Sequence, residues 1–218
     1  MRSRWKGMIF DLDGTLLDSM PVHGKAWMET LPRFGLHMDP RRLLILGGTP
    51  STQIVRILAE EQGVEVDPVT VARQKAEAYL RRLSWVRPIE PMLRIVRRWH
   101  RRIPLAVATG GQFAVAERVL EATGLASYFQ AVVTSDQVPR PKPAPDLYLE
   151  AARRIGVAPS DCLGFEDTPT GLQGLQTAGI QAVYVPDFLA RWKRLGYRPN
   201  PEQLPPPEET IPALSAWA

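Results

Sequence analysis

The chain has one cysteine in 218 residues, Cys162. An intrachain disulfide is excluded, and a reducing, cytoplasmic compartment is expected. Cys162 lies in an apolar run, so it reads as a buried, inert thiol rather than a nucleophile. Histidine is scarce too, at three residues. His37 and His100 have no partner pattern suggesting zinc and read as structural. No apolar run is long enough to span a bilayer, which argues against a membrane partner. The basic N-terminus, Met1-Arg2-Ser3-Arg4-Trp5-Lys6, leads into a short strand rather than the apolar region and cleavage site of a signal peptide. No internal repeat is visible.

What remains is ordinary globular composition, 44% hydrophobic and 23% charged. The length suits one large core, or a core with a small insert. The net charge of +4 is unevenly placed. Arg81, Arg82, Arg87, Arg94, Arg97, Arg98, Arg101 and Arg102 fall in one stretch, opposed there only by Glu90. Such a stretch can bind nucleic acid. With no nucleic-acid motif beside it, a solvated helix face is the preferred reading, with Ile95, Val96 and Trp99 packing inward, and no nucleic-acid partner is expected.

Along the chain, Gly7-Met8-Ile9-Phe10 reads as a buried strand. Beyond Asp18 the pattern turns helical until about Leu83. Val22, Ala26, Leu31 and Phe34 recur at roughly helical spacing. Asp39-Pro40 and Asp67-Pro68 are helix starts, Gly47-Gly48-Thr49-Pro50 is a loop, and a helix from Gln53 to Gln62 stops at Gly63. With no convincing strand, residues 19–85 read as a helical insert. After Pro88 helices alternate with the strands Leu105–Ala108, Ala131–Val133, Cys162–Phe165 and Ala182–Val185. Counting the first, five apolar strands alternating with helices predict an α/β, doubly wound parallel sheet. Residues 1–18 and 86–218 would form this Rossmann-like core. The proline-rich tail is irregular, with Ile211–Trp217 expected to pack back on the core.

The chemistry concentrates at strand ends. Asp11 and Asp13 stand where open α/β sheets bind ligands. Two-residue spacing points both carboxylates in similar directions, and Gly14 allows a sharp turn. Close carboxylates repel unless a cation or shared proton relieves them. That suits a bound Mg²⁺ and an aspartate nucleophile. Thr109, followed by Gly110 and Gly111, offers a hydroxyl and backbone N–H groups to phosphate oxygens; a strand-ending hydroxyl turn is the plainer alternative. Lys142, between Pro141 and Pro143, can neutralise Asp11 and a phosphoryl group, or simply be solvated. Glu166-Asp167 closes another strand, where two acids need a cation nearby. The plainer reading is an N-cap for the next helix.

Asp11-Leu12-Asp13-Gly14-Thr15, Thr109, Lys142-Pro143 and Glu166-Asp167, in that order, resemble the haloacid dehalogenase superfamily over about residues 7–186. The helical insert resembles that superfamily's four-helix cap. Within it the chain looks most like the β-phosphoglucomutase-like branch. Gly48-Thr49-Pro50-Ser51 and Trp99-His100 look like bacterial fructose-1-phosphatase-type sugar phosphatases. The resemblance implies that Asp11 is the nucleophile and Asp13 the general acid/base. It implies Mg²⁺ held by the Asp11 carboxylate, the Asp13 backbone carbonyl and Asp167, with Glu166 beside it, and Thr109 and Lys142 holding the phosphoryl group. His23 and Trp27, at i and i+4 on one helix face, match cap positions that couple closure to catalysis. Lys75 matches a cap lysine that reaches substrate. Helix packing for Trp27 and solvation for His23 and Lys75 are the alternatives. Mutase relatives carry an arginine in the cap loop where this chain has Pro50, which cannot grip a second phosphate. Gly111 stands where many relatives have a polar residue. The expectation is a phosphatase of small phosphorylated metabolites, a monomer or weak dimer. A phosphosugar mutase and a non-catalytic, arginine-rich binding module are the alternatives.

Overall fold

The computed structural model describes residues 4–187 and 189. The expectation for Ile211–Trp217 lies outside them. The first strand, β1 (Gly7–Phe10), is wholly buried. A two-residue strand, β2 (Leu17–Asp18), leads into four helices: α1 (Met20–Thr30), α2 (Leu43–Leu46), α3 (Ser51–Gln62) and α4 (Pro68–Leu80). The strand β3 (Arg87–Pro88) and the helix α5 (Glu90–Trp99) lead back to the sheet. The remainder alternates: β4 (Leu105–Thr109), α6 (Phe113–Ala122), β5 (Ala131–Thr134), α7 (Asp146–Arg154), β6 (Cys162–Glu166), α8 (Pro169–Thr177) and β7 (Gln181–Tyr184).

The main sheet has five parallel strands in the order β5-β4-β1-β6-β7. The chain builds outward from β1 to β5, then crosses to the other side of β1. That reversal leaves a crevice beyond the C-terminal end of β1, where sheets of this type bind ligands. Alternation along the strands feeds two cores. Met8, Phe10, Val107 and Phe165 pack with α5 and α6 on one face. Ile9, Ala106, Val133 and Cys162 pack with Leu147, Tyr148 and Leu175 of α7 and α8 on the other. Both faces are covered, so the strands read as continuous apolar runs. Cys162 is fully buried, and burial raises its thiol to about 11, which keeps it inert.

The helical layer has a third core, in which Trp27, Leu31, Ile54, Leu58 and Val71 meet. The opposite edges of α1 and α4, through Val22, Ala26, Ala78 and Tyr79, join the core of the sheet. The expected helices are present with shifted ends. α3 begins at Ser51 rather than Gln53, because Pro50 takes the cap position, and Thr168 caps α8, its side chain accepting from Gly171 N–H. Asp67 caps α4 through Val69 and Thr70 N–H. A feature not anticipated is the antiparallel pair β2–β3, with Leu17 opposite Pro88 and Asp18 opposite Arg87. It joins the two passages of the chain between sheet and helical layer. No helix among the described residues is long and apolar enough to cross a membrane.

Within the arginine stretch Arg94 and Arg97 pair with Glu90, and Arg81 and Arg82 both reach Glu29, at 2.7 and 2.5 Å, so an acid from outside the stretch joins Glu90 in opposing it. Ile95, Val96 and Trp99 point inward as expected.

Candidate active site

β1 delivers Asp11 to the centre of the crevice. Asp11 N–H donates to the Phe165 carbonyl at 2.9 Å, which continues the β1–β6 ladder by one residue. The side chain is buried and accepts from Lys142 Nζ at 2.6 Å. The next turn depends on Gly14, which has φ of 89°. A Cβ there would stand 2.2 Å from Asp167 Oδ2, so only glycine lets the Asp167 carboxylate close over this loop. Thr15 then donates to Asp167 Oδ1 at 2.9 Å.

Lys142 has no exposed side-chain surface and forms a second ion pair, with Glu166 Oε1 at 2.5 Å. The solvated alternative for this lysine is excluded. Burial works against its charge, but Asp11 and Glu166 outweigh that and hold the ammonium protonated. Glu166 is itself held from several sides. Tyr148 OH donates to Oε1 at 3.0 Å, and Thr168 donates to Oε2 from its backbone N–H at 2.7 Å and its hydroxyl at 2.9 Å. Gly171 makes room for this carboxylate, because a Cβ there would lie 1.8 Å from Oε1.

Asp11, Glu166 and Asp167 each present a carboxylate oxygen, and these atoms lie within 4.8 Å of one another. One ammonium against three carboxylates leaves surplus negative charge in a buried place. Burial, and then the Glu166 charge, raise Asp167 to about 6. Burial raises Asp11 well above the usual carboxylate range, against the pull of Lys142. A hard divalent cation such as Mg²⁺ fits this all-oxygen donor set and the charge left uncompensated. Each Glu166 oxygen already serves Lys142, Tyr148 or Thr168, whereas Asp167 is engaged by Thr15 alone among the side-chain donors described above.

The Asp13 carboxylate is not in that cluster. Its Oδ1 accepts from Ser19 Oγ at 2.6 Å and faces His23 Nε2 at 3.0 Å. His23 Nδ1 lies 2.7 Å from Lys75 Nζ. A lysine donor at Nδ1 assigns the proton to Nε2, which lies toward the Asp13 carboxylate but without the geometry of a hydrogen bond. Burial opposes the Asp13 charge, but His23 and Ser19 outweigh it and lower the carboxyl to about 2. Lys75 is buried, not solvated, and burial lowers it to about 8. His23 stacks on Tyr79 with ring centroids 4.1 Å apart. The Trp27 ring lies 5.2 Å from Lys75 Nζ, and the residue is buried in the core of the helical layer and borders the cavity. His23, Trp27 and Lys75 therefore form one connected group facing Asp13.

Thr109 and Gly110 border the same cavity as Asp11 and Asp13. Gly111 N–H donates to Thr109 Oγ1 at 3.1 Å, so the strand-ending hydroxyl turn is present as well. A Cβ on Gly110 would lie 2.1 Å from the Gly48 carbonyl oxygen. The loop before α3 thus touches the end of β4 backbone to backbone.

The residues that the strand-end reasoning missed are the supports: Thr15, Ser19, Tyr148 and Thr168. Thr15 and Ser19 follow the Asp11–Asp13 turn closely enough to have been suspected. Tyr148 lies on the apolar face of α7 and carries no signal that separates it from core.

Comparison with known proteins agrees with this fold. Residues 8–185 match the family described as haloacid dehalogenase-like hydrolase. The chain is 44% identical over 186 residues to fructose-1-phosphate phosphatase YqaB of Escherichia coli, covering 85% of this chain and 98% of that protein. It is 30% identical over 183 residues to hexitol phosphatase A of the same organism, covering 84% of this chain and 83% of that protein. In fold it is similar to CbbY from Rhodobacter sphaeroides, solved in complex with phosphate, with a TM-score of 0.75, 24% identity and coverage of 83% and 85% of the two chains. The chain belongs to the haloacid dehalogenase-like hydrolases.

Proposed function

We propose that this protein is a Mg²⁺-dependent phosphatase of small phosphorylated metabolites, with sugar phosphates as its substrate class. The observation that carries the reading is Asp11, a buried carboxylate at the end of the central strand, ion-paired with Lys142 at 2.6 Å beside an acidic cluster suited to a cation. The relatives that act on fructose 1-phosphate and on hexitol phosphates supply the substrate class.

In this reading an Asp11 oxygen attacks phosphorus and the alcohol departs, leaving an aspartyl-phosphate that water then hydrolyses. Asp13 gives a proton to the departing alcohol and takes one from the water. With its carboxyl at about 2, Asp13 is ionised in the arrangement described, the form the second step needs; an anionic phosphoryl group bound beside it would raise its proton affinity toward the protonated form the first step needs. Lys142 faces Asp11 and offsets phosphoryl charge; Thr109 and Gly110 offer a hydroxyl and a backbone N–H to the phosphoryl oxygens. Asp11, the Asp13 carbonyl and Asp167 would hold Mg²⁺, whose charge would lower the repulsion between an anionic nucleophile and an anionic ester. Glu166 is assigned to anchoring Lys142.

Residues 19–85 act as a cap that excludes water, with His23, Trp27 and Lys75 facing the substrate. Pro50 stands at the start of α3, in the loop that meets Gly110, and supplies no cation for a second phosphate. This favours hydrolysis over transfer within a bisphosphate. The intact set of Asp11, Asp13, Lys142 and Asp167 argues against a non-catalytic binding module. A cytoplasmic monomer or weak dimer completes the reading.

The test is a phosphate-release screen over phosphorylated metabolites with Mg²⁺, run on wild type and Asp11→Asn. Turnover of sugar phosphates should fall by about three orders of magnitude or more in the variant. Equal rates would refute the nucleophile. With β-glucose 1-phosphate and its bisphosphate activator, rapid formation of glucose 6-phosphate would overturn the choice of hydrolysis.

A further inference from the structure

The loop after β4 carries no side chain at Gly110 or Gly111. Beside the Thr109 hydroxyl, these two positions can offer a phosphoryl group only backbone N–H groups. Backbone groups are aimed by whatever holds the backbone, and here the hold comes from the neighbouring strand.

Helix α6 does not cap itself. Gln112 occupies its cap position, and the Gln112 side chain makes no capping bond. Asp136, in the turn after β5, does the capping instead. It accepts from Phe113 N–H at 3.1 Å through Oδ1 and at 3.3 Å through Oδ2. Thr134 is wholly buried and donates to Asp136 Oδ1 at 2.5 Å, which fixes the direction of that carboxylate. Ser135 donates twice to one acceptor. Its backbone N–H reaches the Gly111 carbonyl oxygen at 3.1 Å, and its hydroxyl reaches the same oxygen at 3.0 Å. Gly111 N–H in turn donates to Thr109 Oγ1 at 3.1 Å. A hydroxyl that accepts in this way keeps its own hydrogen for an acceptor elsewhere, and Thr109 borders the cavity together with Asp11.

Thr109 and Thr134 are register partners at the ends of β4 and β5, so the turn stands beside the loop it holds. Helix stability alone asks for no such tie, because an aspartate or serine at position 112 would cap α6 locally. A cap supplied from the next strand makes the position of the loop a property of the sheet. Neither Ser135 nor Asp136 borders the cavity. Their influence on it passes through Gly111 and Thr109.

We propose that Ser135 and Asp136 are positioning residues that aim the Thr109-Gly110-Gly111 segment at the phosphoryl group. The proposal rests on the phosphatase reading above. The segment would meet the part that all phosphate esters share. Its displacement therefore costs every ester alike, whereas a contact from the helical layer is felt ester by ester.

The test compares wild type with Ser135→Ala and Asp136→Ala, and with Ser135→Thr and Asp136→Asn, which keep the hydroxyl and an accepting oxygen. On the full chain with Mg²⁺, kcat/KM is measured for glycerol phosphate, fructose 1-phosphate and p-nitrophenyl phosphate. It should fall about tenfold in Asp136→Ala, by one common factor for the three esters, and less in Ser135→Ala, whose backbone N–H remains. Calorimetric affinity for inorganic phosphate should weaken in the same order, and the two conservative variants should recover most of both losses. Losses that differ widely among the esters overturn the proposal. So does a lowered Tm with phosphate affinity unaltered, which marks a merely structural role, and so do losses as large in the conservative variants as in the alanine ones. Phosphate release from none of the esters by wild type counts against the phosphatase reading instead. Phosphate calorimetry then decides the loop: weakening in Asp136→Ala with recovery in Asp136→Asn supports the proposal, and absent or unaltered binding overturns it.

Discussion

Lys142 holds two buried carboxylates at once, Asp11 at 2.6 Å and Glu166 at 2.5 Å. Removing it would leave both charges without their shared partner. Lys142→Ala should therefore lose stability as well as turnover, by about 3–5 kcal/mol, the usual penalty for breaking a buried pair from one side. Urea denaturation checks this against Asp11→Asn, which removes a charge and should be far less destabilising. Comparable stability losses in the two variants would contradict the account. At this scale the sequence spoke unevenly. The acids and the lysine were legible because charged groups at the ends of apolar strands need a reason to be there. Their supports were not. The Tyr148 hydroxyl bonds Glu166 at 3.0 Å, yet its ring belongs to the core formed with Leu147, Ala151 and Leu175. Burial of Lys75 was equally hidden, because helical spacing shows which face a residue takes but not what covers it.

Between elements, the loop before α3 meets the end of β4 backbone to backbone. A side chain at Gly110 would push these backbones apart, since its Cβ would fall 2.1 Å from the Gly48 carbonyl oxygen. Gly110→Ala should leave thermal stability nearly intact, because Gly48 and Gly110 lie outside the hydrophobic cores, while kcat/KM falls about tenfold or more from misplacement of the helical layer against the sheet. A full-activity Gly110→Ala enzyme would show that this contact is dispensable. The five strands of the sheet were legible as apolar runs because helices cover both faces. The pair β2–β3 was not. Each strand has two residues, one is Pro88, and no periodicity can be read from so short a segment. Pairing there comes from tertiary position rather than from local propensity.

At the scale of the whole molecule, the crevice concentrates negative charge that folding alone leaves uncompensated. A cation that binds only the folded chain must stabilise it, by about 2.7 kcal/mol at a hundredfold excess over its dissociation constant. Mg²⁺ should therefore raise the Tm of the full chain by several degrees over protein in EDTA, and the rise should vanish in Asp167→Asn. Calorimetry with and without the metal checks it; an unchanged Tm at millimolar Mg²⁺ would remove the cation from the account. The β2–β3 pair also sets what can be done with the chain as a whole. Asp18 and Arg87 face each other across an antiparallel ladder, so the strands enclosing the whole helical layer begin and end side by side. The polypeptide leaves the sheet and returns to it through one doorway. To the sheet, residues 19–86 are topologically a long hairpin loop, and a short turn between Asp18 and Arg87 would close the same backbone. The helical layer is in that sense a detachable module: a different layer could be spliced in at this doorway without re-threading any of the five parallel strands.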